Sequence, residues 1–267
     1  SIHFPYCGWT DRSYWKYGVI YFAALWRRTV NYWWRDYLRS SPARSQAKHC
    51  ELENIMNRRC ISIVIEVPNA LAAAEEYQYL FNCGTAKFSE AVYLLALKNV
   101  DLWLKQTDTE MARIAKINLA GDEDDNSAIA EFQICPPSVQ DSATDVGIDM
   151  VVYMTNSPQN MRETLAAPPL SLTPKNTITL GDSGSELSFY PLDSLLLEVG
   201  EYKNKGEQED GFWGLGLRVD DINEYHRYLR AGQVDISDIK TGMKPNTLVA
   251  TIKSHNFFSF SLSFLST

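Results

Sequence analysis

The strongest constraint on the fold is the stretch of residues 219–232, which reads VDDINEYHRYLRAG and joins a strand pattern to a helix pattern. A glycine-spaced apolar run begins at Trp213 and ends abruptly at the paired acids Asp220 and Asp221. An aspartate before a helix accepts hydrogen bonds from its first N–H groups, and glycine is the usual residue just after a helix end. We therefore predict a strand, a helix capped by Asp220 or Asp221, and a helix end at Gly232.

Two further apolar runs follow this helix, at residues 247–252 and 257–265, and a polar break at 254–256 separates them. Short apolar runs on either side of a turn sequence are typical of a β-hairpin. The C-terminal part of the chain is thus predicted to run strand, helix, hairpin.

The same order of elements occurs twice earlier. Unit one comprises a predicted strand, helix and hairpin at residues 60–67, 70–81, 91–97 and 100–105. Unit two comprises a predicted strand, helix, hairpin and further strand at residues 148–155, 158–166, 177–180, 186–190 and 195–199. The distance from first strand to hairpin turn is 37 residues in unit one (61–98), 33 in unit two (148–181) and 39 in unit three (215–254). Such regular spacing indicates a duplicated unit and predicts an α+β fold of repeated βαβββ modules.

Three domains are predicted from this layout. Residues 1–59 form a basic, Trp-rich helical head and a linker, and residues 60–145 hold unit one. Unit one ends in a polar loop with an acidic run at 122–125 and a candidate fourth strand at 128–135. Residues 146–267 hold units two and three as a pair.

The head contains an aromatic helical stripe. Five of the seven Trp lie in the first 34 residues. Spacings of three and four residues, which place side chains on one helix face, join the large apolar residues Trp15, Val19, Phe22, Trp26, Val30, Trp33 and Tyr37. The residues expected to dock this helix on a partner or a membrane are Trp15, Phe22, Trp26, Arg27, Arg28, Trp33, Trp34 and Arg35.

Several interpretations of this stripe stay open. Trp, Tyr and Arg are the residues of a helix at the lipid headgroup level and also of large protein–protein interfaces. A core helix of the same domain and a solvated basic tail are the alternatives. The apolar stretch at 17–26 spans only about 15 Å as a helix, so it does not cross a bilayer alone.

Charge and cysteine content limit the binding partners and the redox compartment that can be expected for the chain. The formal charge of −8 divides into +6 for residues 1–60, from ten basic and four acidic residues, and −14 for the rest. The basic head lacks the clustered Lys and Arg of a nucleic-acid-binding module, and the body is acidic, so nucleic acid is not expected as a partner. Five Cys, an odd number without a C-x-x-C spacing, favour a reducing compartment over a disulfide framework. Because the first residue is Ser1, we expect a processed N-terminus.

The strand-to-helix junctions IEVPNALAAAEEY and LRVDDINEYHRYLRAG, with the terminal hairpin, resemble the vicinal-oxygen-chelate superfamily of glyoxalases, extradiol dioxygenases and bleomycin-resistance proteins. The resemblance covers residues 60–267, with 107–146 poorly matched. It implies that modules pair so that curved sheets enclose a cleft. By this resemblance units two and three pair, and unit one pairs with a partner chain or with the N-terminal region.

The resemblance also implies a divalent metal held by His on first strands and Glu on last strands. The first strands here offer Ser62, Asp149 and Gly214 or Gly216, and the candidate last strands offer Glu131 and Glu198. Glu131, Asp149 and Glu198 are therefore the candidate ligands if a metal is bound. Since no His falls at these positions, we assign no catalytic residue and no resident cofactor, and one divalent metal is the alternative.

Residues 181–185, GDSGS, resemble the stretch around the nucleophile of trypsin-like serine proteases, and His49 and Asp101 complete the order His, Asp, Ser. The final glycine of that motif is replaced by Ser185, and GDSGS between two apolar runs is typical of a hairpin turn. We therefore interpret it as a turn.

Together these features predict a non-catalytic accessory or scaffolding subunit. It would dock through its N-terminal aromatic helix to subunits of a membrane protein complex, and to anionic lipid, on the reducing side of a mitochondrial or plastid membrane. The complex would be respiratory or photosynthetic. The alternative is a metal-dependent lyase or dioxygenase of the glyoxalase type, or a small-ligand-binding protein of that superfamily.

Overall fold

The computed structural model describes residues 60–120, 132–135, 144–180, 185–203, 206, 208–242, 246–253 and 260–266. The aromatic head, the acidic run, the GDSGS turn and the last hairpin turn therefore lie outside the described residues, in whole or in large part. So does the linker that precedes unit one. The division into domains 1–59, 60–145 and 146–267 remains a prediction.

Three helices and fourteen strands are described. The helices are α1 (Ala70–Phe81), α2 (Pro158–Ala166) and α3 (Ile222–Ala231). The strands before residue 144 are β1 (Cys60–Val67), β2 (Thr85–Ser89), β3 (Val92–Ala96), β4 (Asp101–Gln106), β5 (Arg113–Ala120) and β6 (Phe132–Cys135). The later strands are β7 (Gly147–Thr155), β8 (Asn176–Leu180), β9 (Ser185–Leu192), β10 (Leu195–Glu201), β11 (Gly211–Arg218), β12 (Lys240–Thr241), β13 (Leu248–Thr251) and β14 (Ser261–Ser266).

Units two and three share one eight-stranded sheet in the order β12-β13-β14-β11-β7-β10-β9-β8. In each unit the last strand returns parallel to the first, β10 to β7 and β14 to β11. The two units meet where β7 and β11 pair antiparallel. The predicted α+β fold of βαβββ modules is therefore confirmed for units two and three.

Unit one lies in a six-stranded sheet of order β2-β3-β4-β1-β5-β6. Its module is complete, with β4 parallel to β1, but the strands that extend it are β5 and β6. They occupy the places of the first and last strands of a second module. Within the described part of the chain, unit one thus pairs with residues 113–120 and 132–135, whereas the expectation was a partner chain or the N-terminal region. The polar composition of residues 107–126 predicts a loop, whereas Arg113–Ala120 within it form the strand β5.

Side-chain capping explains where two of the helices begin. The Asn69 side chain accepts a hydrogen bond from the Ala72 N–H at 3.0 Å, and Asp221 accepts from Asn223 and Glu224. Those bonds satisfy N–H groups that the first helical turn leaves free. Ser157 makes no such bond before α2, where Pro158 alone favours the helical start.

The two sheets are joined by a pair of tyrosines on α1 and α3. The Tyr79 hydroxyl donates to the Tyr228 carbonyl at 3.1 Å, and the Tyr228 hydroxyl donates to the Tyr79 carbonyl at 2.9 Å. Their rings stack with centroids 4.8 Å apart. Gly232 ends α3 with a φ of −82°, so it does not serve as a left-handed cap. A Cβ at Gly232 would overlap the Tyr79 hydroxyl, so close approach of the helices explains this glycine.

Candidate functional site

Alternate side chains along each strand point to opposite faces of a sheet, and the helices cover one of these faces. On β14, Phe264 contacts the Tyr225 ring of α3 with centroids 5.1 Å apart. Ser261, Ser263 and Leu265 alternate with it and point the other way. We call the side that packs against α1, α2 and α3 the helix face, and the opposite side the cleft face.

A row of four residues crosses the centre of the cleft face in the eight-stranded sheet. The strand register pairs Glu198 with Val152, Val152 with Gly214, and Gly214 with Ser261. These residues belong to the last and first strands of unit two and the first and last strands of unit three. We call them the central row.

Buried apolar side chains surround the central row. Glu198 is fully buried and Val152 is 5% exposed. Beside them, a Cβ added at Gly200 would lie 2.7 Å from the Met154 sulfur and 3.1 Å from a Leu187 methyl. The space that this glycine leaves is therefore filled from within the sheet.

The six-stranded sheet has a polar cleft face. Three parallel rows cross its strands β4, β1 and β5, and the register places in them Asp101–Ser62–Asn118, Trp103–Val64–Lys116 and Lys105–Glu66–Arg113. We call the first of these the acceptor row, because its side-chain oxygens can all accept hydrogen bonds.

The acceptor row is well shielded from water. Ser62 is 4% exposed and Asp101 is 7% exposed, and the Asn118 Nδ2 group donates to the Ser62 Oγ at 2.7 Å. The Asn118 Oδ1 atom is buried, and no described residue donates a hydrogen bond to it. Burial raises the pKa of the Asp101 carboxyl above its ordinary value.

The other two rows contain an aromatic pair and an ion pair. Phe88 leans on Trp103 with ring centroids 4.7 Å apart, and it is itself 59% exposed. Arg113 holds one Glu66 oxygen through its Nε at 2.9 Å and its Nη2 at 2.7 Å. The cleft face of this sheet therefore changes from acceptor groups to an aromatic surface to charged groups along its strands.

Solved structures of several enzymes have this arrangement of strands. A triple mutant of 4-hydroxymandelate synthase from Streptomyces coelicolor matches with a TM-score of 0.60 and 11% identity, over 78% of this chain and 92% of that one. The Mn(II)-bound glyoxalase from Novosphingobium aromaticivorans matches with a TM-score of 0.58 and 13% identity, over 78% and 83%. A halotolerant catechol dioxygenase matches with a TM-score of 0.54 and 13% identity, over 79% and 87%.

These matches extend across both sheets, and the modules of the chain carry the strand order described above. The chain has the vicinal-oxygen-chelate fold. No protein-family model matches the sequence, and no curated protein matches it. The likeness therefore extends to the fold and not to an activity.

A metal of the kind this fold implies does not fit the central row. In a vicinal-oxygen-chelate sheet the first and last strands supply the ligands, and here those strands offer a carboxylate, an isopropyl group, a glycine and a hydroxyl. Mn, Fe and Zn sites draw on several imidazole or carboxylate ligands. Within the described part of the chain, no group of three or more His, Cys, Asp or Glu side chains is close enough to hold an ion.

The candidate ligands named from the sequence do not come together. Asp149 lies at a bulge of β7, between the Met150–Gly216 and Ile148–Leu217 pairs, and Arg218 engages its carboxylate. Glu198 lies on the cleft face, and Glu131 falls outside the described residues.

The expected docking residues of the head also lie outside the described residues. They are Trp15, Phe22, Trp26, Arg27, Arg28, Trp33, Trp34 and Arg35. None of the helices in the described ranges is both long and apolar enough to cross a membrane.

The sequence did not predict the acceptor row, because the row forms only when β5 pairs with β1. Asn118 reaches Ser62 only when residues 113–120 form a strand beside β1. The sequence RIAKINLA of residues 113–120 carries a signal for that strand, because Lys116 and Asn118 interrupt a run of apolar residues whose Ile114, Ile117 and Leu119 the structure buries. The bulge between Val64 and Ile65 shifts the register and breaks simple alternation.

Proposed function

We propose that this chain is a metal-independent binding protein built on the vicinal-oxygen-chelate fold. The observation that carries the proposal is the composition of the central row, which reads Glu198, Val152, Gly214 and Ser261. These four residues lie side by side on adjacent strands, and among them only Glu198 could bind a metal as a charged ligand.

The chemistry of a lyase or dioxygenase of this fold depends on a bound metal that polarises an oxygen or activates a substrate. One carboxylate and one hydroxyl are too few ligands to hold such an ion firmly. Ca²⁺, which binds through oxygen ligands, takes about six to eight of them. The apolar side chains beside the row, Met154 and Leu187, add no oxygen or nitrogen ligand. Binding without metal chemistry is the activity that these residues favour.

Metal analysis of the purified full chain tests this proposal. After expression in medium supplemented with manganese, iron and zinc, we expect well under one metal ion per chain. We expect the same content in the Glu198→Gln variant, which keeps the shape of the side chain. A stoichiometric ion that is lost in Glu198→Gln would show that the row is a metal site after all.

A second candidate function is docking to a membrane protein complex, or to anionic lipid, through the N-terminal head. The head carries a net charge of +6 and the aromatic stripe, whereas the rest of the chain carries −14. Basic residues near a surface of anionic lipid each contribute about 1 kcal/mol of attraction. Under this proposal the folded body is an accessory module held at a mitochondrial or plastid membrane.

Deletion of residues 1–40 tests the docking proposal. The full chain should sediment with vesicles that contain phosphatidylserine and with the membrane fraction of its own cells, and the truncated chain should stay in the supernatant. The double variant Arg27→Glu with Arg28→Glu, which keeps the aromatic stripe, separates charge from apolar insertion. Sedimentation of the truncated chain to the same extent would refute docking through the head.

A further inference from the structure

We propose that the acceptor row of the six-stranded sheet binds the ammonium group of a small primary amine, whose aromatic or aliphatic body lies on Trp103. This inference extends the proposed binding function by naming a ligand class. It concerns a different sheet from the central row, so the two proposals can fail independently.

The first step rests on Asp101. Its side chain is 7% exposed, and no residue in the described part of the chain donates a hydrogen bond or an ion pair to its carboxylate. A shielded carboxylate is costly unless it is paired, because it has lost its hydration. A cation placed beside Asp101 would offset that cost.

The second step rests on Asn118. Its Nδ2 donates to Ser62 at 2.7 Å, which fixes the amide so that Oδ1 is the remaining acceptor. That Oδ1 atom is buried without a hydrogen-bond partner among the described residues. Asp101, Ser62 and Asn118 lie on three neighbouring strands, so their oxygens can converge on one group. A primary ammonium has three N–H donors and no acceptor, which matches three acceptors.

The third step concerns the body of the ligand. Trp103 follows Asp101 by two residues on β4 and so lies on the same face, about 7 Å further along the strand. With Phe88 it forms an aromatic surface that is partly open to solvent, as is Val64 in the same row. An ammonium near an aromatic ring gains cation–π attraction in addition to its ion pair.

The other charged groups on this face restrict the ligand further. Lys116 and Lys105 lie in the neighbouring rows, and Glu66 is engaged by Arg113. Lys116, Lys105, Glu66 and Arg113 together carry a net positive charge, which disfavours a polyamine. The site therefore fits a molecule with one ammonium group. A hard metal ion fits poorly, because the acceptor row supplies one charged oxygen ligand and two neutral ones.

Calorimetric titration of the full chain tests the proposal with two matched probes. Phenethylamine carries the ammonium, and 3-phenylpropionate carries a carboxylate on a similar ring and chain. We expect phenethylamine to bind and 3-phenylpropionate to show no heat of binding. Asp101→Asn should weaken phenethylamine binding at least about tenfold, since a charge-assisted bond is lost. Asp108→Asn, at an exposed position just after β4, should leave binding unchanged.

A second variant keeps the test decisive if Asp101→Asn does not fold, as judged by thermal melting. Trp103→Leu removes the aromatic surface from a partly exposed position and should weaken phenethylamine severalfold. The proposal is overturned if neither probe binds at millimolar concentration, if the anion binds as well as the amine, or if Asp101→Asn binds like the parent chain. Displacement of phenethylamine by equimolar magnesium or calcium chloride would also overturn it. None of these outcomes changes the expected metal content of the central row.

Discussion

The two sheets share a strand arrangement but carry opposite chemistry on their cleft faces. At the centre of the eight-stranded sheet, Glu198 is fully buried beside Val152, and methionine and leucine side chains fill the neighbouring space. At the centre of the six-stranded sheet, Asp101, Ser62 and Asn118 present oxygens beside a partly exposed aromatic pair. The apolar cleft face belongs to two complete modules, and the polar one to a module joined to two strands.

The helix faces of the same strands are alike. One step from the central row, the register aligns the buried residues Leu197, Val151, Leu215 and Leu262. One step from the acceptor row it aligns Leu102, Ile63 and Ile117, which are also buried. The fold thus depends on the helix face, and the cleft face is free to carry different chemistry. This is why the fold of this chain does not by itself specify a function.

The largest expected effect comes from giving the central row the ligands that it lacks. Val152→His combined with Ser261→His puts two imidazoles on the cleft face that already holds Glu198. Without metal we expect a loss of about 3 kcal/mol in the free energy of unfolding, because a polar ring replaces a buried isopropyl group. Zinc or manganese at about one hundred times its dissociation constant should restore about 2.7 kcal/mol. Chemical denaturation with and without metal measures both.

The parent chain in the same titration is the control, and its unfolding curve should not respond to either ion. If the double variant is equally indifferent to both metals, the central row is not the place where this fold brings ligands together.

The parts of the fold that could be predicted from the sequence have local causes. The start of α3 follows from Asp221, and the helix of unit one from Asn69 and the Ala-rich run after it. The hairpin of β3 and β4 follows from the Lys98–Asn99 turn between two apolar runs. Each of these signals lies within a few residues of the element that it determines.

The candidate sites could not be predicted, because they depend on pairing between distant strands. Ser62 and Asn118 are 56 residues apart in the chain and meet through their side chains. The need for glycine at position 232 could not be predicted either, because it comes from the close approach of Tyr79 on another helix. A local pattern indicates which residues form a strand, but not which strand lies beside it.

The valines of the two first strands differ in how tightly they pack on their cleft faces. Val152→Ala and Val64→Ala remove the same two methyl groups from the first strands β7 and β1. Val152 is 5% exposed, and its truncation should cost roughly 2 kcal/mol of unfolding free energy through lost burial and a small cavity. Val64 is partly exposed and should cost less than about 1 kcal/mol. Equal losses, measured by urea denaturation, would contradict the difference in packing.

The smallest expected effect is the loss in unfolding free energy that the buried Asp101 carboxylate causes. Burial raises the pKa of this carboxyl in the folded state. Between the ordinary pKa of an aspartate, about 3.9, and that raised value, the folded state binds more protons than the unfolded state. Stability therefore falls as the pH rises through this window, and the full penalty remains at neutral pH.

Asp101→Asn should remove that penalty and raise the unfolding free energy at pH 7 by about 1 kcal/mol, the lower end of the cost of a buried group without a hydrogen bond. The gain should shrink as the pH falls through this window and vanish below about pH 3, where the parent carboxyl is protonated in both states. Asp108→Asn, on an exposed position, should show neither the gain nor its pH dependence. A variant that is more stable but binds amines worse would mean that Asp101 serves a ligand. If Asp101→Asn is instead less stable than the parent at pH 7, the carboxylate contributes to the fold, and the polar cleft face is structural like the apolar one.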